Sequence, residues 1–211
     1  MQPQRRIGIL PDLVARPLFT RFGAPEYDVV RDVPGALAMK LRGEQLDGAF
    51  LSPIDAARGL PWCRPAGNGS LVSRPGSNTA KLLFRSGIRE IRTLAADPGR
   101  TSEIVLAHIV LVEQYDTTPT IVPRTGDPAG LLSTCDAVLV AGDEASAVTD
   151  DGLDLVEEWA QMSGLPFVHG LWYAKSGDLE PALFSEPAID RAALPEGVSY
   201  RFDTEARSGL A

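Results

Sequence analysis

Short apolar clusters along the chain alternate with stretches in which apolar residues recur every three or four positions. "RIGIL" and "YDVVRDV" read as strands, "PGALAMKLRGEQ" as a helix with Pro34 where a helix can start, "DGAFLSP" as a mostly buried strand and "IDAARGL" as a short helix. This rhythm predicts β-α-β-α units around a parallel sheet. From Trp62 to Pro75, "WCRPAGNGSLVSRP" is crowded with Gly, Pro, Asn and Ser and reads as loops and turns. "AGNGS" within it reads as a turn and not as a nucleotide fingerprint, because no strand closely precedes it and no helical pattern follows. The alternation then resumes through "TAKLLFRS", "TLAAD", the helix "TSEIVLAHIVLVEQY", the strand "TIVPR", a short helical piece near "PAGLLST" and the strand "AVLVAGD". The helix "LDLVEEWAQMSG" and the strand "PFVHGLWYA" complete a second α/β lobe. The last stretch, from "LEPALF" onward, is Pro-rich and weakly periodic, and reads as a wrapping tail with at most short helices.

Charge narrows the partners. The 211 residues carry 20 basic against 28 acidic side chains, a net charge of −8, with no stretch that concentrates Lys and Arg on one face. Such a balance repels phosphate backbones and anionic lipid, so nucleic acid and membrane surfaces are not expected partners. An anionic ligand would need a positive site built locally. "MQPQRRIGILPDLV" has no long apolar core and no cleavage site of small residues, and no apolar run approaches the length of a membrane span, so the expected location is cytoplasmic. Cys63 and Cys135 form no paired motif and read as ordinary thiols, and His108 and His169 lie apart from other ligand types. No metal site is expected.

Three places could carry chemistry. At "DPGRTSEI" a strand ends, Pro and Gly turn the chain, and Thr101 or Ser102 is placed to cap a helix. A helix N-terminus offers unpaired amides and partial positive charge to a carboxylate or phosphate, and Arg100 could add a charge-assisted contact. The same residues serve equally as a simple cap, with Glu103 neutralising the helix end. In "FLSPID", Ser52 follows a buried strand at the carboxyl end, where α/β sheets hold ligands, or else is a turn residue. In "VLVAGDEAS", Gly142 and Asp143 end a strand, and Asp143 is either an acid or base or a turn-stabilising aspartate.

"IGILPDLVARPLF", "DVPGALAMKLRGEQLDGAFLSPIDAAR", "RTLAADPGRTSEIVLAHIVLVEQY", "LVAGDEAS" and "DLVEEWAQMSGLPFVHGLWYAK" follow in this order. Together they resemble the chorismate dehydratase family of the futalosine route to menaquinone, over most of residues 6 to 175. The resemblance implies a two-lobed fold like that of type II periplasmic binding proteins, with a ligand cleft between the lobes. Lobe 1 would comprise 1–78 plus 174–211 and lobe 2 would comprise 79–173, with crossings near Ser73 to Thr79 and Gly170 to Lys175. The tail "YRFDTEARSGL" resembles the family's closing region, with much of the preceding helical stretch missing, so the first lobe is expected to be trimmed.

The implied reaction removes water from chorismate to give an enolpyruvyl-oxybenzoate, without a cofactor. Two carboxylates on the substrate call for two anion sites, and the resemblance implies Ser52, Thr79, Arg100, Thr101 and Ser102 as substrate contacts. Aligned without gaps, the family's substrate-contacting Asn falls on Val14 and a Tyr on Asp12, while Thr79 stands where Ser is usual. Thr keeps a hydroxyl; Val has nothing to donate or accept. Asp12 or Asp143 would then handle the leaving water. The alternative is a non-catalytic protein of the same fold that binds a small carboxylate.

Overall fold

The computed structural model describes residues 4–23, 25–149, 152–175 and 198–201. It divides into two compact units, Met1–Val72 with Val168–Ala211, and Ser73–Phe167.

The first unit is built on a six-stranded sheet of order β11-β4-β10-β3-β1-β2. Its strands are β1 (Arg5–Ile9), β2 (Tyr27–Arg31), β3 (Gly48–Leu51), β4 (Cys63–Ser73), β10 (Phe167–Lys175) and β11 (Val198–Arg201). β1 runs parallel to β2 and β3, with Ile7 opposite Val29 and Gly48, as the β-α-β pattern predicts. β10 runs antiparallel to β3, with Leu171 opposite Leu51, so the sheet is mixed and not wholly parallel. Helix α1 (Pro34–Arg42) starts on its proline, whose missing N–H would have no helical partner at that position, and buries Leu37, Ala38 and Leu41. Helix α2 (Pro53–Gly59) follows β3 directly. A 3₁₀ segment, Leu13–Gly23, fills the stretch after β1 for which the sequence pattern predicts no element.

The stretch read as loops between Trp62 and Pro75 is instead the 11-residue strand β4. Small and turn-prone residues disfavour a strand only weakly, and here β4 is held between β10 and β11. Ser70, Leu71, Val72 and Ser73 are all buried, so tertiary pairing overrides local preference. "AGNGS" accordingly lies within a strand and not at a turn.

The core of this unit is aromatic. Phe50 meets Phe19 and Trp172 edge-on, with ring centroids 5.4 and 5.3 Å away, and Phe22 lies 5.0 Å from Trp172. Gly170 is required by this packing: a Cβ there would stand 2.4 Å from Phe50 Cε1.

The second unit carries a five-stranded sheet, order β7-β6-β8-β5-β9. It contains β5 (Ala80–Phe84), β6 (Thr93–Ala96), α3 (Thr101–Tyr115), β7 (Thr120–Pro123), α4 (Pro128–Leu132), β8 (Ala137–Ala141), α5 (Asp143–Ala147), β9 (Leu153–Asp154) and α6 (Leu155–Ser163). β6, β7 and β8 are mutually parallel, whereas β5 runs antiparallel to both β8 and β9. α3 and α6 cover one face: Leu106, Val110 and Leu111 pack with Leu82, Leu94, Leu155 and Val156. The opposite face joins Leu83, Val138 and Val140 to Ala145. α6 begins two residues later than the pattern "LDLVEEWAQMSG" predicts, because Asp154 is its N-cap and accepts hydrogen bonds from the Val156 and Glu157 amides.

The units divide at Val72/Ser73 and Phe167/Val168, whereas the family resemblance implies divisions after 78 and after 173. Leu171–Ala174 of β10 pair with β3 in the first sheet, which places that part of the strand in the first unit. The tail read as a wrapping segment lies mostly outside the described residues, and its described part, Val198–Arg201, is a strand.

Candidate functional site

In the second unit, the parallel strands β6, β7 and β8 end at one edge of the sheet, and the antiparallel β5 begins there. This edge collects Thr79, the turn from Asp97 to Arg100 with the first residues of α3, the turn from Arg124 to Asp127, and Gly142 to Glu144. The Thr79 carbonyl accepts a hydrogen bond from Gly142 N at 2.9 Å, tying the start of β5 to the end of β8. Thr79 is itself buried, and its hydroxyl donates to Ser73 Oγ at 3.0 Å and lies 3.1 Å from Ser77 Oγ. Thr79 therefore stands in a small group of buried hydroxyls with Ser73 and Ser77.

The "DPGR" turn is held by Asp97, whose carboxylate accepts from Gly99 N at 2.8 Å and whose carbonyl accepts from Arg100 N at 3.0 Å. Arg100, and not Thr101 or Ser102, takes the N-cap position of α3, and its side chain makes no capping hydrogen bond. Its carbonyl already accepts from Ile104 N at 3.0 Å, so the helix starts one residue earlier than a Thr or Ser cap would require. Thr101 and Ser102 are then the first two helical residues, Thr101 half-buried and Ser102 only 3% exposed. The positive end of a 15-residue helix thus carries two hydroxyls and a guanidinium in consecutive positions. Glu103, also in the first turn, is buried.

β8 ends at Ala141, Gly142 takes a positive φ of 64°, and Asp143 begins the short helix α5 instead of sitting in a turn. The next residue, Glu144, is one that sequence reasoning passes over. Partial withdrawal from water holds its carboxyl above the ordinary value; Arg100 pulls it back down, while Asp127 and Asp97 push it further up. The signal was a second acidic residue in "GDEAS", legible as part of a site only once β6 and β8 are known to be neighbours.

In the first unit, the parallel pairing of β1 and β3 brings Asp12 and Ser52 to one sheet edge. Ser52 is the N-cap of α2: it accepts from Asp55 N at 3.1 Å and donates to Asp55 Oδ2 at 2.6 Å, with both residues buried. Its single hydroxyl proton is therefore engaged locally. Asp12 is buried too, and its carbonyl accepts from Ala15 N at 3.1 Å at the start of the 3₁₀ segment. Val14 is packed against the first unit's core.

Other sequence candidates fall elsewhere. His169 is buried on β10 and His108 is exposed on α3. Cys63 and Cys135 are buried free thiols; burial pushes Cys63 up to about 11, and burial with Cys63 nearby pushes Tyr173 up to about 12. Among the described residues no group of His, Cys, Asp and Glu is arranged to hold a metal ion, and no helix is long and apolar enough to cross a membrane. A cavity of about 460 Å³ in the first unit, lined by Leu41, Glu44, Leu46, Asp47, Trp62 and Lys175, contains none of the expected site residues.

Two mixed sheets, each with a cluster of polar residues at its carboxyl edge, define a two-lobed α/β protein of the type II periplasmic-binding-protein-like class. Solved structures share this fold. Protein AF1704 from Archaeoglobus fulgidus superposes with a TM-score of 0.66 at 19% identity, over 86% of this chain and 71% of that one. The Candida albicans CA3427 gene product, described as having the generic periplasmic binding protein fold, gives 0.54 at 13% identity over 82% and 64%. A periplasmic substrate-binding protein of an ABC transporter from Coxiella burnetii gives 0.53 at 11% identity over 93% and 100%. No curated protein matches the sequence. The chain belongs to the menaquinone biosynthesis family, whose model matches residues 5–191.

Proposed function

We propose that this protein is a chorismate dehydratase-like lyase of the futalosine branch of menaquinone biosynthesis. In this reaction a ring proton and the ring hydroxyl of chorismate leave as one molecule of water, the ring becomes aromatic, and the product is an enolpyruvyl-oxybenzoate. The elimination is redox-neutral, so its demands are anion binding, orientation, a base to take the ring proton and an acid to deliver a proton to the departing hydroxyl. The observation that carries this reading is the start of α3, where Arg100, Thr101 and Ser102 stand together at the positive end of a long helix. Membership of the menaquinone biosynthesis family supports this reading.

In this reading Thr101 and Ser102 hydrogen-bond a substrate carboxylate, Arg100 adds charge, and Thr79 supplies a hydroxyl from the same sheet edge. Asp143 lies at that edge and is proposed to take the ring proton and pass it to the leaving hydroxyl, with Asp12 as the corresponding candidate in the first unit. Ser52 would contact substrate only by exchanging its bond to Asp55 for one to the ligand.

A second reading, a small-carboxylate-binding protein without turnover, is favoured by Val14, an apolar side chain packed on the core at the position of the family's substrate-contacting Asn. Incubating purified protein with chorismate and following the rise of aromatic absorbance separates the two. Stoichiometric water loss with multiple turnovers supports the lyase. Thermal stabilisation by chorismate without new absorbance supports the binding protein. The absence of both effects overturns both readings.

A further inference from the structure

We propose that the cavity of about 460 Å³ in the first unit is a second ligand site, for a small zwitterion with an apolar body, such as a free amino acid with an aromatic or large aliphatic side chain. It stands independently of the lyase reading, because it lies at the other end of the sheet from Ser52. Asp47 directly precedes β3 and Ser52 directly follows it. β10 runs antiparallel to β3 with Ala174 opposite Gly48, so Lys175 is carried to the Asp47 end. Trp62 immediately precedes β4, the other neighbour of β10, and Glu44 and Leu46 belong to the turn that follows α1. Three chain segments remote in sequence thus line one cavity.

Leu41 and Leu46 are buried and give the cavity an apolar floor, and Trp62 adds an indole that is 37% exposed. Glu44, Asp47 and Lys175 are exposed and line the same space. Among the described residues no ion pair joins Lys175 to either carboxylate, and no hydrogen bond engages the side chain of Lys175 or Glu44. Asp47 spends one carboxylate oxygen on the Arg6 amide, at 2.7 Å. A lining that holds both charges without pairing them suits a ligand that carries both. Its ammonium would meet Glu44, Asp47 and the Trp62 ring, its carboxylate would meet Lys175, and its apolar body would rest on the two leucines. Two carboxylates against one ammonium leave the lining net negative, so the ligand's cationic end should count for more than its anionic end.

The backbone at Glu44 points the same way. α1 ends in a Schellman turn: Gln45 N donates to the Lys40 carbonyl at 2.9 Å and Glu44 N to the Leu41 carbonyl at 3.2 Å. The left-handed position of such a turn usually falls to glycine, yet here it is held by Glu44, with φ 56°, while Gly43 stands one residue earlier at an ordinary φ of −79°. The chain thus keeps a carboxylate beside the cavity at a position where glycine would be the less strained residue.

The test is calorimetric titration of the full chain with phenylalanine, phenethylamine and hydrocinnamate at about pH 7, above the carboxylate range and below the amine range. We expect phenylalanine to bind most tightly, the amine next and the acid most weakly. Glu44→Gly should leave the urea midpoint unchanged or raise it, because glycine suits the left-handed backbone, and yet weaken phenylalanine about tenfold, the loss of one charge-assisted contact. Lys175→Met should weaken phenylalanine by a similar factor and leave the amine unchanged, and Trp62→Ala should weaken both. An amine or an acid that binds as tightly as phenylalanine overturns the zwitterion assignment. Phenylalanine affinity unchanged in Glu44→Gly and Lys175→Met, or no saturable binding to wild type, overturns the site. Wild type that binds phenylalanine and neither binds nor turns over chorismate keeps this site and overturns the lyase reading alone.

Discussion

The carboxyl edges of the two sheets are the same kind of place in topology and differ in what their own residues do there. In the first unit the polar side chain after β3 is consumed locally: Ser52 and Asp55 exchange two hydrogen bonds and close the start of a seven-residue helix. In the second unit the 15-residue α3 starts from Arg100 without a side-chain cap, and its first two residues are hydroxyl-bearing. Fold topology names the edge where a ligand can sit, but capping chemistry decides which edge has donors to offer. This is why the proposed site is weighted toward Thr101 and Ser102.

Substitutions can break or sharpen this contrast. The largest effect should come from Phe50→Ala, which empties the centre of the first unit's aromatic cluster and should cost about 3–5 kcal/mol of stability, read from the urea midpoint. If the carboxylate site belongs to the second unit, the surviving folded fraction should still bind chorismate.

Ser102→Ala comes next. Losing its hydroxyl should weaken carboxylate binding by about 1 kcal/mol or more, measured by calorimetry, with the unfolding midpoint nearly unchanged. Equal affinity in the variant would remove Ser102 from the site.

Ser52→Ala should do the reverse, lowering stability by about 1 kcal/mol through loss of a helix cap while leaving affinity near wild type. A large loss of affinity there would move weight back to the first unit.

The smallest effect should lie at the opposite edge of the second sheet. Asp136 accepts from the Arg92 and Thr93 amides and the Thr93 hydroxyl, each at 3.0 Å, and pairs with Arg85. The Arg92 amide, with the Thr93 and Arg85 contacts, holds its carboxyl below the ordinary value despite burial. Its contribution to stability is thus complete above the ordinary carboxylate range and is lost as pH falls through the lowered folded value. Asp136→Asn should flatten that acid limb in pH-dependent unfolding and leave ligand affinity untouched.

Much of the architecture was legible because periodicity reports burial. β1, β2, β3, α1 and α3 stand where the alternation predicts them, since their apolar positions face cores that local pattern alone can reveal. β4 was hidden because "AGNGS" has turn composition and becomes a strand only through neighbours distant in sequence, β10 and β11. The antiparallel direction of β5 and β10 was equally invisible, because the pattern of apolar residues carries no strand direction. At the site, the turn "DPGRTSEI" announced a helix start, yet its cap fell on Arg100 and not on a hydroxyl residue. Glu144 was out of reach because its significance depends on Arg100, which is separated from it along the chain and brought near by strand order.

The division of the chain at β4 and β10 also sets an order of assembly during synthesis. Ser73–Phe167 is one unbroken stretch, so every strand of its sheet has emerged before the polypeptide reaches Val168. β3, made much earlier, waits with one side unpaired until Leu171–Ala174 arrive. On a ribosome extending at about 5–20 residues per second, the second unit should acquire protease resistance first, and the amino-terminal strands should be protected only after it.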